Sequence, residues 1–201
     1  MVLGEIGDKF PLALVKATDS ARQDLADLRQ WKPAWFPMMF EREIAGIVHT
    51  RIWANLMAEL DDVPGFEFRN KEPHREVKIS TSAGRTYTVR VKRHTAKDRV
   101  RSYPTSSALH FWGGLTATFE DMEEVSLAAG YRWDAVSGEV GLPVISYREG
   151  MENPIWTVEV DAKAAEGAAT IDYTQITDPA LPTVDLLDSA EEDDETGDAG
   201  Q

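Results

Sequence analysis

Eleven of the 21 lysines and arginines lie within residues 65–105. Seven of these follow closely on one another, namely Arg85, Arg90, Lys92, Arg93, Lys97, Arg99 and Arg101, and Tyr103 comes just behind. Cations at this density neutralise phosphates, and an aromatic ring beside them can stack on a base. The block therefore points to contact with nucleic acid or with an acidic partner. A solvated set of structural charges is the plain alternative. Other chemistries find less support. The four histidines, His49, His74, His94 and His110, form no i, i+4 pair, so a zinc site is not expected. A strand-edge histidine such as His94 is expected to be simply exposed. No GxSxG motif is present, and Gly113-Gly114 lacks the spacing and the lysine of a phosphate loop. With no cysteine, thiolate nucleophiles, thiolate metal sites and disulfides are excluded.

A second constellation combines acids with a lysine. Asp62 is followed, with thirteen residues between, by Glu76-Val77-Lys78, and a helical segment bearing Glu41 and Glu43 precedes them. In residues 41–93 this order of helix, acid and E-x-K strand resembles the PD-(D/E)XK nuclease-like core. The resemblance implies that Asp62 and Glu76 hold a divalent cation while Lys78 supports the attacking water, with DNA or RNA as substrate. Two departures bear on activity. Asp62 directly follows a helix rather than a strand, and the next strand reads Arg90-Val91-Lys92, with a cation where a metal-binding carboxylate would stand. A degenerate core without activity is the expectation, so no cofactor is expected outside the nuclease alternative.

The elements that position these residues are legible from periodicity. A helix is expected over 19–31, capped by Thr18 or Asp19 and stopped by Pro33, and a longer one over 39–60. In the second, Phe40, Ile44, Ile47, Val48, Ile52, Leu56 and Leu60 fall on one face. The aromatic, proline-bearing corner between them, residues 31–38, is expected to plug the core. After Gly65 the period changes to two. Phe66 and Phe68, then Val77 and Ile79, then Tyr87, Val89 and Val91 alternate with polar residues, and the second and third runs form a hairpin around residues 82–85. Alternation sends Glu76, Lys78, Arg90, Lys92 and His94 to one wet face and the apolar set onto the long helix. A short helix within 104–112 and strands near 125–133, 142–148 and 155–161 complete an α+β domain. Its N-terminal helices pack on a mainly antiparallel sheet of five to six strands.

Charge is unevenly distributed. The chain has 201 residues and a net charge of −14, yet residues 65–105 carry +7 and residues 166–201 carry −11 with no basic side chain. The first 165 residues are read as one domain and 166–201 as a disordered acidic tail. Within it Leu181, Val184, Leu186 and Leu187 form an apolar patch suited to docking on a partner or back on the domain. No 18-residue apolar run or leader-like start is present, so no membrane contact is expected and the cytoplasm is the expected compartment. The functional expectation is a non-enzymatic regulatory protein, such as an antitoxin-like inhibitor or a phage or mobile-element accessory protein. It would engage a protein partner, and nucleic acid through residues 85–103. Oligomeric state is not legible.

Overall fold

In the computed structural model the described residues are 2–71, 74–100, 102, 105–112, 124–148, 154–165 and 168–175. Three helices come first: α1 (Val2–Ile6), α2 (Lys9–Trp31) and α3 (Glu41–Leu60), with a 3-10 turn, Phe36–Met38, between the last two. Helix α2 begins ten residues earlier than the expected 19–31. Phe10, Ala13, Leu14, Ala17, Ala21 and Leu25 form a continuous buried stripe along it, and Pro11 is accommodated in the first turn, where its missing N–H would have had no partner. The start of α3 is fixed by the Phe40 N–H, which donates to the Glu43 carboxylate at 2.8 Å.

Seven strands follow: β1 (Phe66–Lys71), β2 (His74–Ser80), β3 (Thr86–His94), β4 (Glu124–Asp134), β5 (Glu139–Arg148), β6 (Pro154–Ala165) and β7 (Ala168–Gln175). They form one sheet in sequential order. The fold is α+β, as expected. The seventh strand, however, lies in the segment read as tail, so the sheet extends ten residues past the expected boundary at residue 165. Every neighbouring pair is antiparallel except β3 and β4, which run parallel. A parallel pair needs a crossover connection, and α4 (Ser106–Trp112) lies between the two strands in the chain.

The sheet has two covered faces. On one, Val77, Ile79, Tyr87, Val89, Val91, Leu127, Ala129, Tyr131, Ile145 and Val160 join the buried faces of α2 and α3 in the main core. On the other, α4 lies over the sheet and contributes a small second core of Val100, Ala108, Phe111, Trp112 and Ala128. Gly130 is required between β3 and β4, because a Cβ there would stand 1.9 Å from the Lys92 carbonyl oxygen.

Candidate functional site

The hairpin register sets Glu76 opposite Arg90 and Lys78 opposite Thr88, so the expected polar side chains do share one face. That face is not open to water as a basic surface. Arg90 is 5% exposed and donates to Glu76 from Nε at 2.8 Å and from Nη2 at 2.7 Å. Its guanidinium also stands 3.8 Å from the centre of the Phe111 ring and 3.4 Å from the Ser107 hydroxyl, both on α4. Lys78 lies 3.9 Å from Glu124 of β4, which accepts a 2.5 Å bond from the Thr88 hydroxyl. Burial and neighbouring Arg90 lower the Lys92 pKa. Glu76, Lys78, Thr88, Arg90 and Glu124 line a cavity of about 290 Å³ together with Arg69, His110 and Ser126.

Farther along the same face His94 is fully buried rather than exposed, and its Nε2 lies 3.0 Å from the Ser146 hydroxyl. Burial, reinforced by the Arg148 charge, lowers its pKa to about 3. Arg148 is itself buried. It donates to Ser146 at 3.1 Å and to the Asp98 carbonyl, and its pKa falls to about 10 through burial, with Asp98 acting in the opposite sense. Arg132 holds the Asp98 carboxylate through Nε at 3.1 Å and Nη2 at 2.7 Å, and also donates to Glu159. Two arginines thus pin the 95–99 turn, in which Asp98 adopts a left-handed φ of 56°, a conformation that aspartate tolerates better than most residues.

The remaining residues of the basic block are scattered. Arg85 bonds Glu5 at 2.7 Å beside the Tyr87 hydroxyl, which donates to the same carboxylate. Those bonds lower the Glu5 pKa, the Tyr87 bond having the larger effect. Arg93 bonds Glu41 at 2.8 Å and sits near the Trp133 ring. Both arginines point to the helix side of the sheet, away from Arg90 and Lys92, so among the described residues these four share no common surface. Lys97 and Arg99 are exposed on the 95–99 turn. Arg101, Tyr103, Leu181, Val184, Leu186 and Leu187 lie outside the described residues. Glu76 and Lys78 share the cavity, whereas Asp62 is exposed in the turn after α3 and does not line it. With Glu76 committed to Arg90, and no group of three or more His, Asp or Glu converging among the described residues, this set does not fit a divalent cation.

The 31–38 corner departs most from expectation. Phe36 packs against the main core, but Trp31, Trp35 and Met38 are 68%, 52% and 82% exposed, and Phe40, expected on the buried face of the long helix, is 76% exposed. Trp31 and Trp35 meet edge to face with ring centres 6.1 Å apart. The Lys32 ammonium stands 4.4 Å from one ring centre and 5.7 Å from the other. Arg29 lies 5.5 Å from the Phe36 ring and donates to Gly138 O at 2.5 Å, which fixes the corner against the β4–β5 turn. Beside the rings a groove of about 540 Å³ is lined by Ala34, Trp35, Met38, Met39, Glu43 and Ile47. The signal available in the sequence was local: large apolar residues in a proline-broken connector rather than at helical spacing. Compared with known proteins, the chain matches no family model, no curated protein and no solved structure.

Proposed function

We propose that this chain is a non-catalytic regulatory binding protein that engages a protein partner through the aromatic corner. The partner surface we infer is an apolar segment flanked by acidic residues. The observation carrying this reading is the exposure of Trp31, Trp35, Met38 and Phe40 within ten residues. Exposed clusters of Trp and Met are characteristic of binding surfaces, where tryptophan dominates affinity. Lys32 sets a cationic charge beside the Trp31 and Trp35 rings, which favours acids at the rim of the partner segment. An antitoxin-like inhibitor or a phage or mobile-element accessory protein would use such a surface.

The test is capture of the partner from the native host, its identification, and a direct affinity measurement with purified proteins. Trp35→Ser/Met38→Ser is expected to weaken binding at least about tenfold, the loss of one hot-spot contact. Lys97→Glu/Arg99→Glu is expected to leave it unchanged. Equal affinity of the corner variant and the unaltered chain would refute the reading. Among the described residues of the basic block, nucleic-acid contact falls to the exposed Lys97 and Arg99. Two phosphate contacts give a salt slope of only about −1.8, which describes a weak, auxiliary interaction. Incubation with Mg²⁺ or Mn²⁺ is expected to leave DNA and RNA intact. Cleavage lost in Glu76→Gln and Lys78→Ala would establish the nuclease alternative instead.

A further inference from the structure

We propose that the chain's own segment 181–187 docks in cis on the aromatic corner and competes with the partner for it. The proposal rests on reading the corner as the binding surface and adds its regulation. Three observations support it. Leu181, Val184, Leu186 and Leu187 supply aliphatic side chains within seven residues, and Asp178, Asp185 and Asp188 surround them with no base after Gln175. This is the apolar, acid-flanked chemistry that the rings and Lys32 favour.

The reach also fits. Gln175 pairs with Val158, which pairs with Ile145, seven residues along β5 from Gly138, the residue bonded to Arg29. That offset is about 23 Å along the strand. With two strand spacings and one layer added, the corner is about 27 Å from Gln175. Val184, Leu186 and Leu187 lie nine to twelve residues beyond Gln175, a reach of about 30 to 40 Å when extended, and Leu181, with a reach of about 20 Å, meets the near side. A tether of this length gives an effective concentration on the order of 1 mM. A segment with an intrinsic Kd of about 0.1 mM would then occupy the corner roughly nine-tenths of the time and weaken a competing partner about tenfold.

The corner carries its own reporter. Of the six tryptophans, Trp31 and Trp35 are exposed, Trp53, Trp112 and Trp133 are buried, and Trp156 is half-buried. In the full chain, Leu181→Ser/Val184→Ser/Leu186→Ser/Leu187→Ser is expected to raise acrylamide quenching of the tryptophan fluorescence severalfold. It should also raise partner affinity about tenfold. The same substitutions in a Trp31→Phe/Trp35→Phe background are expected to leave quenching unchanged, which assigns the effect to the corner. Equal quenching of the unaltered chain and the tail variant would overturn cis docking. In that case, continued loss of partner by Trp35→Ser/Met38→Ser would leave the corner's binding role standing.

Discussion

Removing the Glu76 carboxylate is expected to cost the fold more than an ordinary surface ion pair would. The Arg90 side chain is 6% exposed and that of Glu76 18%, and two guanidinium nitrogens reach the same carboxylate oxygen. In Glu76→Ala the guanidinium keeps only a long 3.4 Å contact to Ser107 and the face of Phe111. Breaking a buried pair by removing one partner costs about 3–5 kcal/mol, and the aromatic ring returns up to about 2 kcal/mol of that. A net loss of about 3 kcal/mol with an m-value of about 2 kcal/mol/M lowers the urea midpoint by about 1.5 M. The double variant Glu76→Leu/Arg90→Met, which removes both charges, is expected to lie within about 1 kcal/mol of the unaltered chain or above it. Equilibrium urea unfolding followed by tryptophan fluorescence reads both. A midpoint shift below about 0.5 M for Glu76→Ala, or a double variant as unstable as the single one, would refute the claim that this pair is a buried, mutually dependent unit.

Three further outcomes are expected. Gly130→Ala sets a Cβ against the Lys92 carbonyl and should cost at least about 3 kcal/mol; wild-type stability by thermal unfolding would show that the β3–β4 approach is looser. His94 and His49 have folded pKa values of about 3 and about 4, below their ordinary 6.5. Between these values the unfolded chain binds protons that the folded chain excludes, so stability present above pH 6.5 is lost as pH falls. Each histidine should contribute about 2 kcal/mol of loss between pH 6.5 and 5, and His49→Gln/His94→Gln should flatten that slope; equal stability at both pH values would contradict it. Charge reversal of Arg85 and Arg93 should lower the melting temperature by stranding Glu5 and Glu41 while leaving DNA retention at low salt unchanged. Reduced retention would return these residues to a nucleic-acid surface.

Periodicity alone determined much of the architecture. The stripe Val48, Ile52, Leu56 and Leu60 and the alternation of Val77, Ile79, Tyr87, Val89 and Val91 named the helix, the hairpin and the face each buries. A three-and-four or two-residue repeat is a local property that burial on one side imposes directly. Helix α2 starts ten residues before the expected 19–31, and Pro11, a breaker in a helix interior, is harmless in its first turn. The seventh strand was hidden because its segment has the composition of a tail.

The sites were less legible, because charge pairing and exposure are non-local. The +7 of residues 65–105 reads as a binding surface only while its counter-charges are out of sight. Glu5, Glu41 and Glu124 come from other parts of the chain, and folding sets them against Arg85, Arg93 and Lys78. A charge count along the chain cannot anticipate this, since Coulombic neutralisation depends on distance in space. The same holds for Trp31, Trp35, Met38 and Phe40, whose composition announces a core. Trp31 ends α2, Trp35 and Met38 lie in the connector and Phe40 caps α3, and at those positions each stays more than half exposed. Residue types and repeats therefore determined the elements and their dry faces, whereas the tertiary arrangement decided which charges are paired and which aromatic rings remain available to a partner.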